Sequence, residues 1–283
     1  QTYANGDLVF DVLDGGEAGG EPVVLLHGFP QGMHAWDDVS AILGARGFRT
    51  LAPDQRGYSP GARPVGRRAY RTELLAGDIV ALLDAAGLER AHIVGHDWGA
   101  IVAWALAAER PDRVASLVTL SVPHPGAFVR SLVSSPQLMK SWYMLAFQLP
   151  KVPELVLSGG PHASRRVSAI LARTGLSPEH SDRYIDRIVD RSAATAMVNC
   201  YRALPFNDPR QLRKPVDVPT LHVWSTGDRF LHRRGPETTQ AFCRGPYRLE
   251  VIEGGSHWLP EVYPGVVADL IADHVTAHKS GDR

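Results

Sequence analysis

Gly95-His96-Asp97-Trp98-Gly99 sets a carboxylate between two glycines. The β-branched run Ile93-Val94 precedes it, and residues 100–110 after it are rich in helix formers and stopped by Pro111. That pattern predicts strand, sharp turn and helix. A turn of this kind with serine at its centre, G-x-S-x-G, lifts a nucleophile above the sheet edge. Aspartate in that place changes the chemistry. A carboxylate attacking a carbonyl would give a mixed anhydride, whereas attack on a saturated carbon bearing a leaving group gives an ordinary alkyl ester that water can then cleave. The elbow therefore favours hydrolysis of an alkyl electrophile, an epoxide or a haloalkane. The plainer reading, Asp97 as an N-cap acid at a helix head, explains neither flanking glycine.

Two further residues complete a constellation. Asp228 follows the apolar run 219–225, and His257 follows the last predicted strand, 248–252. Nucleophile, acid, histidine is the chain order of one well-known hydrolytic triad. His257 would deprotonate the water that attacks the Asp97 ester. Asp228 would hold its tautomer and stabilise the imidazolium. The tight loop His27-Gly28-Phe29-Pro30 supplies a backbone N–H at Phe29, which with that of Trp98 could hold one oxygen of the Asp97 carboxylate. His27, His124, Arg56 and Trp36 are expected to brace structure. The leaving group separates the two reactions. A halide needs soft N–H donors, while an epoxide oxygen leaves as an alkoxide and needs a proton donor, a role that suits tyrosine. Tyr143 and Tyr201 both lie in a helical stretch that could cover Asp97.

These residues need elements to carry them. Residues 2–13 read as a hairpin around Asn5-Gly6, with a flexible connection over 15–20. Strands are expected at 23–26, 48–52, 91–96, 114–120, 219–225 and 248–252, and helices at 36–46, 70–86 and 262–278. Strand and helix alternate over the first 120 residues, which argues a mostly parallel, doubly wound sheet. Working residues then collect at the carboxyl ends of strands, where His27, Asp54 and Asp97 fall. From 128 to about 210 only helical segments are expected, at 138–148, 154–157, 165–172 and 182–201.

The 283 residues suffice for one large α/β domain with an insertion. Lys plus Arg and Asp plus Glu both number 30, so no basic stripe points to nucleic acid and no polybasic run points to a membrane surface. Cys200 and Cys243 are too few for a disulfide framework and lack metal-site spacing; a reducing, cytoplasmic setting is expected, with a single bridge left open. No apolar run approaches spanning length. Gln1 need not be the native start.

Gly95-His96-Asp97-Trp98-Gly99, His27-Gly28-Phe29-Pro30, Asp54-Gln55-Arg56-Gly57-Tyr58-Ser59 and Gly255-Ser256-His257-Trp258 together resemble the epoxide hydrolases of the α/β-hydrolase superfamily. The resemblance covers nearly the whole chain. Trp142-Tyr143 with its downstream Phe147-Gln148-Leu149-Pro150 is similar to the segment carrying that family's first lid tyrosine. Asn199-Cys200-Tyr201-Arg202 is similar to the segment carrying the second, with Cys200 where the family often has Trp. The resemblance implies an α/β-hydrolase fold: a mostly parallel eight-stranded sheet flanked by helices, core 1–125 and 211–283, and a helical cap, 126–210, inserted after strand six. It implies catalytic Asp97, Asp228, His257, Tyr143 and Tyr201, an oxyanion site at Phe29 and Trp98, and a substrate pocket of Phe29, Trp98, Tyr143 and Tyr201. No metal or organic cofactor is implied, and the expected partner is a small-molecule epoxide, with no nucleic acid and no membrane; a homodimer is left open. Two rivals remain. One is a haloalkane dehalogenase on the same scaffold, although such enzymes often place a halide-binding group where this chain has Phe29. The other is a ligand sensor that kept fold and pocket without turnover.

Overall fold

The computed structural model describes residues 1–279. Eight strands form one sheet: β1 (Thr2–Asn5), β2 (Leu8–Gly16), β3 (Pro22–Leu26), β4 (Arg49–Pro53), β5 (Ala91–His96), β6 (Val114–Leu120), β7 (Thr220–Ser225) and β8 (Tyr247–Ile252). Their spatial order is β1-β2-β4-β3-β5-β6-β7-β8. β2 runs antiparallel to both neighbours, and every other pairing is parallel. The expected flexible connection at residues 15–20 is partly strand, because Gly15 and Gly16 extend β2 alongside Thr50 and Arg49.

Alternation along β3 shows how the sheet is covered. Val24 and Leu26 face one apolar cluster, shared with α2 (Thr72–Ala85) and α3 (Trp98–Glu109). Val23 and Leu25 face the other, shared with α1 (Asp37–Ala45) and the carboxyl-terminal helix Pro264–Thr276. Successive strand side chains point to opposite faces, so a strand covered on both sides must be apolar throughout. β5, β6 and β7 are accordingly buried at every residue. Each fully buried Leu or Val contributes about 1.5–3 kcal/mol.

Strand order reverses between β3 and β5. β4 lies on one side of β3, and the chain then crosses back to place β5 on the other. Such a switch point opens a crevice at the carboxyl ends of the two strands. The loop after β3 and the turn after β5, both expected to carry chemistry, therefore meet there.

Between β6 and β7 the chain forms helices and turns, among the described residues: α4 (Pro125–Ser134), α5 (Gln137–Lys140), α6 (Trp142–Ala146), α7 (Val152–Ser158), α8 (Ala163–Arg173), α9 (Pro178–Val189) and α10 (Arg191–Ala203). Two expected helices divide. The segment at 138–148 breaks at Ser141. The segment at 182–201 breaks at Asp190, whose backbone is extended and whose side chain accepts from Ala193 N at 2.9 Å, capping α10. α4 was not anticipated; Pro125 opens it at the position where proline costs a helix nothing. The last expected helix, 262–278, is observed as Pro264–Thr276, with Pro264 in its first turn, and an unanticipated short helix, Leu259–Val262, precedes it.

Candidate active site

Asp97 follows the last residue of β5 and precedes the first residue of α3, with φ 51° and ψ −116°. A non-glycine residue held at positive φ stores about 1–3 kcal/mol of strain, so its surroundings must enforce the turn. The flanking glycines allow that. A Cβ on Gly95 would collide with the carbonyl of Gly99, and one on Gly99 with the carbonyl of Leu26. Gly28 is equally confined, since a Cβ there would strike Asp97. Gly99→Ala is expected to destabilise the fold by about 1–3 kcal/mol through overpacking against rigid backbone, read as a lower urea midpoint with an unchanged slope.

Asp97, His257 and Asp228 converge. Asp97 Oδ1 accepts from Phe29 N at 2.8 Å, and Asp97 Oδ2 lies 3.5 Å from His257 Nε2. His257 Nδ1 is 2.8 Å from Asp228 Oδ2, which fixes that nitrogen as a donor. The other oxygen of Asp228 accepts from Phe230 N and Leu231 N at 2.7 and 2.9 Å, so its loop wraps the carboxylate. Trp98 opens α3, and its N–H is one of the amino-terminal donors that a helix leaves without intrahelical partners.

Burial and charge oppose each other here. Burial by itself would raise the Asp97 carboxyl and lower the His257 imidazole. The nearby His257 overrides it, holding Asp97 below its usual value. Burial is likewise overridden at His257, where the facing carboxylates Asp228 and Asp97 push the imidazole up to about 10. The resting site is therefore an imidazolium between two carboxylates.

A cavity of about 500 Å³ opens on Asp97 and is walled by Trp98, Tyr143, Met144, Tyr201, Phe230 and much of α3. Tyr201 stands edge-on to Trp98 at 4.9 Å and to Phe29 at 5.3 Å, and Tyr143 lies 6.1 Å from Tyr201, between ring centroids. Burial is the main cause that raises both phenols above their ordinary value, with Asp97 adding to it in each case. Both phenols therefore hold their protons. Of the seven expected site residues, Asp97, Trp98, Tyr143 and Tyr201 line this cavity, while Phe29, His257 and Asp228 are not in its wall and join the group through Asp97 and Tyr201.

Several residues of the site were not anticipated. Phe230 fills the space between Tyr143 and His257, with ring centroids 5.7 and 4.9 Å away. Phe147 packs on Phe29, Tyr143 and Tyr201. Beneath these three side chains, His96 Nε2 donates to the His257 carbonyl at 2.9 Å, and Gln31 Oε1 accepts from Gly28 N at 2.7 Å while facing His96 Nδ1. Gln31 also donates to the buried Glu261, whose carboxyl burial pushes up to about 7. From the insertion, Gln137 donates to Phe230 O and accepts from His232 N, each at 2.7 Å, and Lys140 donates to Asp228 O at 2.8 Å. The insertion thereby clamps the loop that carries Asp228.

The bracing residues behave as expected. His27, lowered to about 4 by burial, accepts from Gln55 N at 3.1 Å, and Arg56 grips Asp78 at 2.6 and 2.8 Å. His124 caps α4 by accepting from Gly126 N at 3.1 Å, and Trp36 is fully buried. Cys200 and Cys243 are free thiols, and no group of metal-ligating side chains occurs among the described residues.

Comparison with known proteins agrees with this geometry. The family described as alpha/beta hydrolase fold matches residues 21–264. An epoxide hydrolase A of Mycobacterium tuberculosis is 33% identical, over 94% of this chain and 93% of its own. This chain belongs to the epoxide hydrolase family of the α/β-hydrolase superfamily. The Bacillus subtilis AB hydrolase superfamily protein YfhM is 34% identical over 95% of this hydrolase and 94% of its own length. Among solved structures, epoxide hydrolase A from Mycobacterium thermoresistibile superposes with a TM-score of 0.82 at 29% identity, covering 98% of this chain and 97% of that one. The fold, with its eight-stranded sheet and elbow, is that of the superfamily.

Proposed function

We propose that this hydrolase adds water to an epoxide through an alkyl ester on Asp97, giving a vicinal diol. Tyr143 and Tyr201 hold and protonate the epoxide oxygen, and Asp97 attacks the ring carbon from the opposite side. The N–H groups of Phe29 and Trp98 hold the carboxylate oxygen that later carries the tetrahedral charge. His257, oriented by Asp228, deprotonates the hydrolytic water. The observation that carries this reading is a single one: a carboxylate gripped by Phe29 N and His257 shares a cavity wall with two buried phenols. Residues 126–210 act as the cap that supplies those phenols to the core, 1–125 and 211–283. The cavity follows α3 from Trp98 to Glu109, about 16 Å of helix, which suits an elongated, apolar epoxide. The free thiols fit a reducing, cytoplasmic setting.

Phe29 weighs against the dehalogenase alternative, because its ring has no donor for a halide. The deciding assay measures diol from aromatic, aliphatic and fatty-acid epoxides beside halide release from a haloalkane panel. Halide without diol would overturn the reading. So would thermal stabilisation by small epoxides without any turnover, the mark of a sensor.

The charge arrangement predicts opposite pH behaviour for the two steps. Ring opening needs ionised Asp97 and protonated tyrosines; Asp97 lies below the usual carboxylate range and both phenols lie above theirs, so this step is expected to be flat across neutral pH. Hydrolysis needs neutral His257. Esterification removes the charge of Asp97, one of the two carboxylates that raise His257 to about 10, so the imidazole becomes easier to deprotonate in the intermediate. The hydrolytic step therefore speeds up as pH rises. The steady-state fraction of esterified protein, measured by intact mass after acid quench, should be highest at low pH. A fraction that grows with pH would refute the assignment.

A further inference from the structure

The outer surface of the insertion is apolar where the fold does not require it. Val133 on α4, Met139 on α5, and Trp142 and Leu145 on α6 are 88%, 78%, 67% and 68% exposed. α4 packs on α5 and α5 on α6, so these side chains belong to consecutive, touching helices. The inward faces of the same helices give Phe128, Tyr143 and Met144 to the cavity. Val129, one turn before Val133, belongs to both sets: it lines the cavity and is exposed. The apolar face therefore begins at an opening of the cavity. A soluble chain rarely leaves so many large apolar side chains together in water unless something covers them.

Charge indicates what does. The chain as a whole balances 30 basic against 30 acidic residues. Residues 127–177 do not share that balance: they hold Arg130, Lys140, Lys151, Arg165, Arg166 and Arg173 against a single acid, Glu154. Glu154 is buried and gripped by Arg202, so it offers no charge to the surface. Arg130, Lys151, Arg165 and Arg173 are exposed, and no ion pair among the described residues engages any of the six. They form no run in sequence, and Arg165, Arg166 and Arg173 lie on α8, which packs on α7 and α9, so Arg130 and Lys151 are the exposed cations carried by or next to the helices of the apolar face.

We propose that this face docks on an anionic lipid surface, with Val133, Met139 and Trp142 entering the boundary between headgroups and acyl chains and the cations meeting lipid phosphates. Of the six cations, exposed Arg130 stands on α4 and exposed Lys151 follows α6 in the chain, so charge accompanies the apolar side chains, a combination that suits that partner. A second copy suits the face less well, because a two-fold interface sets a patch against itself and would oppose like charges. Docked this way, the face brings the opening beside Val129 to the phase into which apolar substrates partition. The docking does not depend on the epoxide reading.

The test is sedimentation of the full chain with phosphatidylcholine vesicles, and with vesicles of phosphatidylcholine and phosphatidylglycerol in equal parts. Binding to the anionic vesicles alone, weakened by added salt, is expected. Val133→Glu with Met139→Glu should lower it about tenfold or more while leaving the melting temperature unchanged, since both side chains project into solvent. Lys151→Glu should reduce the preference for anionic lipid. No sedimentation, or equal sedimentation with both vesicle types, would overturn the proposal. So would a wild-type dimer in analytical ultracentrifugation that the double variant dissociates, which would make the face a contact between copies. Diol assays in free solution report separately on the catalytic reading, so failure of one proposal leaves the other legible.

Discussion

His257→Gln is expected to stop the enzyme after its first chemical event, with substrate attached to Asp97. Glutamine roughly preserves the shape of the imidazole but cannot accept a proton from water, and general base catalysis of this kind is worth about 10²–10⁴ in rate. An ionised Asp97 needs no base to attack; the variant removes the His257 that holds this carboxyl below its usual range against burial, but the bond from Phe29 N at 2.8 Å still favours the anion, so the experiment is run at mildly alkaline pH. Ring opening should therefore continue while ester hydrolysis fails. Intact-protein mass spectrometry should show one adduct of substrate mass per chain, and peptide mapping should place it on Asp97. Asp97→Ala should show neither adduct nor diol. A His257→Gln protein that stays unmodified while the wild type turns over would exclude the ester route and leave direct attack by water.

The adduct experiment also separates what sequence could specify from what it could not. Asp97 and Asp228 were readable because each follows a buried parallel strand, and such strands announce themselves as apolar runs ended by glycine or turn residues, whereas His257 follows the half-exposed edge strand β8 and was read from its place after Gly255 and from the chain order. The expected sheet follows from the same signal, and β5, β6 and β7 are buried at every residue. Inside the insertion that signal disappears. Helical periodicity runs through Ser141 and Asp190, and only the cap that Asp190 makes to Ala193 N shows that α9 ends and α10 begins there.

Contacts between distant parts of the chain were equally hidden. Gln31 and Glu261 are 230 positions apart yet form one buried hydrogen-bonded pair under His257. Gln137 reaches 93 positions along the chain to Phe230. Neither belongs to a local motif with a spacing to recognise. Phe230 could have been suspected, since an aspartate that accepts from the N–H two residues on forms a common turn, and the residue at that turn is then fixed beside the acid. The electrostatics needed coordinates as well. Asp97 and His257 shift in directions opposite to those of burial only because two carboxylates face one imidazole.

The two lid tyrosines should act together, and removing both should cost far more than removing either. Tyr143 and Tyr201 wall the same cavity with ring centroids 6.1 Å apart, and both are held protonated by burial beside Asp97. Without a donor, ring opening must release a bare alkoxide into a cavity walled largely by apolar side chains, where an unpaired charge is most costly. One remaining phenol still binds the oxygen and delivers a proton, so Tyr143→Phe and Tyr201→Phe should each slow ring opening by about 10- to 100-fold, and the pair by about 10³–10⁴-fold. The loss must appear in the alkylation rate, measured as the single-turnover appearance of adduct in the His257→Gln background, while hydrolysis of preformed ester is unchanged. Tyr201 carries an added structural load, since its ring packs on Trp98 and Phe29 and its carbonyl accepts from Gln148 at 2.8 Å. Phenylalanine keeps that packing and removes only the hydroxyl, so a melting temperature near wild type accompanies the expected result. Wild-type alkylation in the double variant would remove the tyrosines from the reaction and leave the epoxide oxygen to be protonated by another group.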